Sequence, residues 1–278
     1  MAYGYTAARR ADLARRWRAM KVLRKQDQID REARAIIAHK GLYQQAERAT
    51  GVPWWMIGVI DAREGGVSRL GTRHLHCGDP LSNYTVHVPS GRPAVGHGPP
   101  FTWLESAIDA LKLKGFDKIK NWTIERVLHS LEPYNGLGYF NGPRDPQGRK
   151  YPPMPSPYIW SCTNQYDPPF GPGGKYVADH VFDPHTVDSQ VGCAPLIAKI
   201  AELDRTVGIT SETAAPSPTH PADTAKKAAG PVVVTTATAS AAAAAHQQGV
   251  PAWAIMLGIA AVISIALAVW AWRQSRES

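Results

Sequence analysis

PWWMIGVIDAREGG, residues 53–66, decides how the chain is read. Pro53 suits the first turn of a helix, where its missing N–H leaves nothing unsatisfied. Trp54, Trp55, Met56, Ile57, Val59 and Ile60 follow with almost no polar face. A helix that is apolar all round is a buried one, so the segment predicts a core helix. It runs into Asp61-Ala62-Arg63-Glu64, and Gly65-Gly66 ends it. A carboxyl there stands at the lip of a cleft, partly walled by hydrophobic groups. Such walls disfavour the ionised form and raise the pKa, which a general acid needs. The plainer reading of Glu64 alone is a surface glutamate beside Arg63.

Downstream, residues 67–100 alternate Gly, Pro, Asn and Asp with short β-prone pieces such as 84–88. This predicts a small hairpin or irregular sheet. Asp79 lies between Gly78 and Pro80, a turn context that exposes its carboxylate, and Thr85 completes an Asp-x5-Thr spacing. A general acid followed by a carboxylate and a hydroxyl able to hold one water is nearly all that cutting a glycosidic bond requires. Singly, Asp79 also reads as a turn cap and Thr85 as ordinary strand preference.

Working outward, residues 7–49 read as helical, rich in Ala, Arg, Leu, Lys and Gln. Thr102-Trp103-Leu104-Glu105 matches a capping box before a helix at 104–113. Further helices are expected at 123–132 and 194–207. The latter carries Leu196, Ile197, Ile200 and Leu203 on one face. Residues 140–175 hold nine prolines and predict a long surface loop. The sum is an α+β fold, mainly α. The expected layout is a basic helical arm (1–50), a globular domain (51–208), an Ala/Pro/Thr-rich linker (209–250), a membrane helix (251–272) and a short basic tail (273–278).

With 44% apolar residues, the 278-residue chain can bury one good-sized core plus appendages. Nine Trp and ten Tyr favour carbohydrate or lipid contact, although aromatics also fill ordinary cores. Of the net charge of +8, residues 1–34 hold +6, from ten Lys or Arg against four Asp or Glu. Such an arm can meet anionic lipid or an acidic wall polymer, or be a solvated helix face. No recognition motif points to a specific nucleic-acid partner. Cys77, Cys162 and Cys193 form no CxxC pair, so no disulfide framework is implied, and a Cys162–Cys193 bridge stays open. The N-terminus is charged but has no apolar run, and it does not read as a secretory signal.

Residues 210–249 are low in complexity and cannot build a core. As a flexible coil they would reach roughly 35 Å. Residues 252–272 run for 21 positions without a charge. As a helix that is about 31 Å, the depth of a bilayer core. Trp253 at one end and Trp270 and Trp272 at the other fit an aromatic belt. Ala260, Ser264 and Ala268 make a small-residue stripe that permits helix association. Arg273 and Arg276 put the C-terminus in the cytoplasm by the positive-inside rule. Yet nothing N-terminal would export the preceding domain, so the topology stays open.

The order Glu64, then Asp79-x5-Thr85, resembles phage endolysins of the lysozyme superfamily, which carry a Glu at the end of a helix and Asp-x5-Thr in a small sheet. The Glu-to-Asp gap is longer here than in the most compact phage enzymes. Tyr134-Asn135-Gly136 is similar to the Tyr-Asn-Gly/Ala motif of goose-type lysozymes and lytic transglycosylases. The stretches HLHCGDPL, VPSGRP, ESAIDAL, LEPYNGLGY, SPYIWS and GKYVAD look like a lysozyme-like family common in phages and prophages of Gram-negative bacteria. They span residues 53–203 and cover neither the basic arm nor the apolar tail.

The resemblance implies a lysozyme-like domain that cuts peptidoglycan glycan strands without cofactor or metal. Glu64 would protonate the oxygen between N-acetylmuramic acid and N-acetylglucosamine. Asp79 with Thr85 would position the attacking water, an inverting arrangement with carboxyls about 6.5–9.5 Å apart. Tyr134, Asn135 and Gly136 would line the sugar cleft. Tyr139, Tyr158, Trp160 and Tyr166 would stack on sugars or anchor the loop. The enzyme would be held at the host inner membrane by its C-terminal helix, would act on the periplasmic wall, and would gain access with a holin's help.

Three rival readings remain. If Asp79 does not reach the site, Glu64 alone acts as acid and base and leaves a 1,6-anhydro sugar, as lytic transglycosylases do. His74, His76 and Cys77, with His87 and His97, offer zinc-ligand types and suggest a zinc-dependent wall peptidase. However, His39 is the only upstream histidine and no suitably placed Asp pairs with it. The third reading is a non-catalytic, membrane-tethered wall-binding or phage structural protein.

Overall fold

Helix α4 (Trp54–Glu64) is the centre of the fold, with every residue from 54 to 62 buried. The computed structural model describes residues 3–178 and 180–212; the expected linker beyond residue 212, the membrane helix and the basic tail lie outside the described residues, while residues 209–212 are docked on the fold, with the Ile124 N–H donating to the Thr210 carbonyl. Among the described residues, no helix is long and apolar enough to cross a membrane.

Helices α2 (Gln26–Ala38), α3 (Lys40–Thr50) and α9 (Cys193–Leu203) pack around α4. Gly58 makes the close approach possible, because a Cβ there would lie 2.4 Å from Ile36 Cγ2 and 3.0 Å from Tyr43 Cε2. Helix α5 (Trp103–Leu113) lies against α3 and starts with the expected capping box between Thr102 and Glu105. Helix α1 (Ala7–Arg18) packs on α6 (Ile124–Leu131). Two single turns, α7 (Gly138–Asn141) and α8 (Pro157–Trp160), follow. Strands β1 (Lys175–Ala178) and β2 (Val181–Asp183) pair antiparallel in a two-stranded sheet, with Lys175 opposite Asp183 and Tyr176 opposite Phe182. The mainly helical α+β class is therefore as expected.

The separate basic arm is corrected. Residues 7–49 form three helices, and Leu13, Ile29, Ala33, Ile36, Tyr43 and Ala46 are buried in the same core as α4. No domain boundary falls at residue 50, and the described residues belong to one compact unit. A few apolar positions at helical spacing suffice to dock a helix however basic its other faces are. Much of that charge is also paired inside the fold. Arg15 and Arg16 meet Asp12, Arg9 meets Glu132, Arg24 meets Asp167, and Arg34 meets Asp30.

The sheet expected within 67–100 is also corrected. Its one described bridge joins Arg73 to Pro80, and the two strands lie at 175–183 instead. Prolines at 80, 89, 93, 99 and 100 have no N–H to give a ladder. The N–H groups of Val86 and His87 go to the Asp79 carboxylate rather than to a neighbouring strand. The proline-rich 140–175 segment is only partly a surface loop, since residues 156–163 are buried. Cys77, Cys162 and Cys193 are all free thiols.

Candidate active site at the end of the core helix

Glu64 is the last residue of α4, and its Oε1 accepts a hydrogen bond from the Tyr158 hydroxyl at 2.8 Å. Burial pushes the Glu64 carboxyl up to about 7, against the opposing pull of the Tyr158 hydrogen bond and the Arg63 and Lys114 charges. Its place at the negative end of the helix dipole also disfavours the ionised form. The acid is thus neutral over much of the range where most glutamates are charged.

Three further side chains flank the Tyr158–Glu64 pair without a described hydrogen bond to the carboxyl. The Arg63 guanidinium lies 4.9 Å over the Tyr158 ring and donates to Asp188 Oδ2 at 3.0 Å and to the Val191 carbonyl at 3.1 Å. Tyr134 faces Tyr158 with ring centroids 6.4 Å apart, and its hydroxyl donates to the Leu75 carbonyl at 2.6 Å. Lys114 Nζ stands 5.0 Å over the Tyr134 ring. One turn back on α4, the buried carboxylate of Asp61 accepts from Tyr43, Trp103 and the Gly71 N–H, which ties the helix to α3, α5 and the following loop.

Asp79 is delivered to the same helix end by a glycine. Gly78 has φ +76°, and a Cβ on it would stand 2.2 Å from the Glu64 carbonyl oxygen. The Asp79 carboxylate is heavily engaged. Oδ2 accepts from the Val86 N–H at 2.8 Å, the His87 N–H at 3.1 Å and the Cys77 thiol at 3.3 Å, while Oδ1 meets His87 Nδ1 at 2.6 Å. Burial opposes ionisation, yet these hydrogen bonds outweigh it and hold the carboxyl down to about 2. Two carboxyls driven apart in this way can serve as a proton donor and a permanent negative charge.

Thr85 is placed differently from the expectation that it holds the attacking water. Its hydroxyl donates to the Pro89 carbonyl and accepts from the Arg92 N–H, and the residue is buried. It closes a loop. Trp160 is likewise corrected. At 1% exposure it belongs to the core and cannot stack on a sugar. Tyr139 and Tyr166 are buried too, with hydroxyls committed to the Tyr176 N–H and to Gly174 and Asp188. Tyr158 and Tyr134 sit at the Glu64 end of α4 but are buried as well, with hydroxyls given to Glu64 and to the Leu75 carbonyl, so the expected sugar contact is corrected for them too. Asn135 and Gly136 are exposed and line a groove of about 600 Å³ with Arg63.

The histidines tie the 67–100 loop to α5. His74 bonds Ser106 Oγ and the Asn83 carbonyl, and His76 meets Asp109, which also grips Arg92. Among the described residues, no three His, Cys, Asp or Glu side chains converge as a metal site. Sequence reasoning missed Lys114, whose charge acts on Glu64, and Asp188, which holds Arg63. Arg63 was visible as the adjacent residue, but Lys114 and Asp188 lie 50 and 124 positions from Glu64 and no local signal marks them. No family model matches the chain, and no curated protein or solved structure matches it significantly.

Proposed function

We propose that the protein is a peptidoglycan glycosidase with Glu64 as its general acid. The observation that carries this reading is the Glu64 carboxyl at the end of the core helix, bonded by the Tyr158 hydroxyl at 2.8 Å, with burial pushing its pKa up to about 7. In the reaction, the Glu64 proton passes to the oxygen bridging N-acetylmuramic acid and N-acetylglucosamine. The bond from C1 to that oxygen then breaks, leaving positive charge shared between C1 and the ring oxygen. The ionised Asp79 stabilises this charge. Water adds to C1, and its proton passes to a carboxylate. The sequence resemblance to lysozyme-superfamily endolysins supplies the substrate class, and Asn135 and Gly136 are offered to the sugar from the groove beside Arg63.

A second reading is favoured by the bonding of Asp79 and Thr85. With the carboxylate filled by three N–H groups and a thiol, and the Thr85 hydroxyl tied to Pro89, neither is free to direct a water. Glu64 would then act alone. The C6 hydroxyl of the muramic acid attacks C1, its proton returns to the Glu64 carboxylate, and a 1,6-anhydro product leaves. Mass spectrometry of muropeptides released from purified walls separates the two, since reducing ends mean hydrolysis and anhydro ends mean transglycosylation. Release of neither product sinks both.

The charge-free run at 252–272 supports tethering at the host inner membrane, with the linker giving reach to the periplasmic wall. Holin-assisted access belongs to the same reading. Protease protection of the N-terminal unit in spheroplasts tests the side on which it lies, and protection by an intact inner membrane counts against it.

A further inference from the structure

Among the described groups bonded to Asp79, His87 alone presents a basic atom to solvent. Its Nδ1 lies 2.6 Å from Asp79 Oδ1, and its side chain is 75% exposed. The ionised Asp79 has no proton to give, so Nδ1 carries the hydrogen and donates it. In the neutral ring this makes Nε2 the lone-pair nitrogen. Nε2 has no hydrogen-bond partner among the described residues. The loop that carries the ring is held closely. The Thr85 N–H donates to the Arg92 carbonyl at 2.9 Å, the Gly91 N–H donates to the Thr85 carbonyl at 2.8 Å, and the Thr85 hydroxyl closes onto Pro89. The Asp79 carboxylate also accepts the main-chain N–H groups of Val86 and His87. His87 is thus fixed, by main chain and side chain, to a carboxylate whose turn is pressed onto the last residue of α4. The Cys77 thiol, which donates to Asp79 Oδ2, also feels the Glu64 charge.

We propose that His87 is the base that takes the proton of the attacking water, with Asp79 as its positioning carboxylate. This role rests on the glycosidase reading, in which hydrolysis needs a group free to receive that proton while Asp79 and Thr85 are already engaged. Glu64 gives its proton to the bridging oxygen, and the bond from C1 to that oxygen breaks. The water oxygen bonds to C1 as one of its O–H bonds breaks, and the proton goes to His87 Nε2. The imidazolium so formed is balanced by the Asp79 carboxylate beside Nδ1, the arrangement by which an aspartate supports a histidine base. Solvent carries the proton from Nε2 back to the Glu64 carboxylate. One water is consumed for each bond cut, and both residues are restored. The Asp-x5-Thr spacing then acts through the loop: Asp79 and Thr85 shape it and orient its histidine, and neither touches the water.

The test compares the full chain in detergent, wild type and His87→Asn, on purified walls. Asparagine can still donate an amide N–H to Asp79 but has no basic nitrogen, so the loop keeps its bond and loses only the base. His87→Gln, which also lacks the base, is run beside it, and the variant with wild-type circular dichroism is the one read. Released muropeptides are identified by mass spectrometry with and without sodium azide, an anionic nucleophile that has no proton to lose. The wild type is expected to release reducing ends. In the variant these should fall by about a hundredfold or more, the usual contribution of a general base. Azide should then restore cleavage by forming the glycosyl azide, which a merely structural role for His87 does not allow. Undiminished release of reducing ends by the variant, a loss that azide does not mend, or a wild type that releases only anhydro ends overturns the proposal. Failure of the glycosidase reading looks different: the wild type then releases neither kind of sugar end.

Discussion

Gly78 lies so close to Glu64 that a Cβ on it would stand 2.2 Å from the Glu64 carbonyl oxygen. The turn bearing Asp79 is thereby pressed onto the end of the helix bearing the acid, and only glycine permits both that contact and a φ of +76°. Gly78→Ala should cost about 2–4 kcal/mol from left-handed strain plus overlap with backbone that cannot yield. Chemical denaturation measures it, and a loss below about 0.5 kcal/mol, the size of an ordinary surface change, would show that the turn is not held against the helix.

Glu64→Gln keeps the shape of the side chain and its bond to Tyr158 but removes the transferable proton. Wall clearance should fall by a factor of about 10² to 10⁴, the usual contribution of a general acid, with the circular dichroism unchanged. In the wild type, clearance needs the protonated form, so the rate should decline as pH rises through about 7. A rate that stays level from pH 6 to pH 9, a span of about three units across that value, contradicts the assignment.

Tyr158→Phe retains the ring beneath Arg63 but deletes the donor to Glu64. That hydrogen bond favours the carboxylate, so its loss should raise the Glu64 pKa further and move the alkaline decline to higher pH. The maximal rate should also drop, by roughly tenfold, as the acid loses its orientation. An unmoved pH profile rules out the coupling.

Asp79→Asn tests the ionised partner. The carboxyl is held at about 2, below its ordinary 3.8, so it adds stability at pH values above about 4. That stability disappears as pH falls through about 2. The substitution should therefore destabilise by about 2 kcal/mol at pH 7 and by much less near pH 2. Urea titrations at several pH values give the difference, and equal losses at pH 3 and pH 7 would count against an ionised Asp79.

Glu132 is a second buried carboxyl, pushed up by burial to about 7 although Arg9 pulls it down. A raised folded-state pKa means that the folded protein binds the proton more tightly than the unfolded chain. Stability should therefore fall as pH rises from about 4.5 through about 7. Glu132→Gln should flatten that slope by on the order of 1–3 kcal/mol between pH 5 and pH 8. Parallel slopes for the two proteins would refute it.

What could be read locally was read correctly. The all-apolar run of α4, the Thr102–Glu105 capping box and the apolar face of α9 are encoded within a turn or two of helix. The position of Glu64 at a buried helix end follows from the same local pattern. Residues 67–100 misled because β-prone side chains cannot form a sheet when proline removes donors and Asp79 collects those that remain. Trp160 misled, and Tyr139 and Tyr166 stayed open between sugar and loop, because an aromatic in a proline-rich stretch looks the same whether it faces sugar or core.

By itself, the sequence determined the core helix, the acid at its end and the mainly helical class. These depend on periodicity and capping, which act over a few residues. Tertiary structure alone decided that the basic helices belong to the core, that Thr85 closes a loop, and that Tyr158, Lys114 and Arg63 surround Glu64. Those neighbours come from segments up to 94 positions apart. The burial that raises the Glu64 pKa is a property of their packing, not of any one segment.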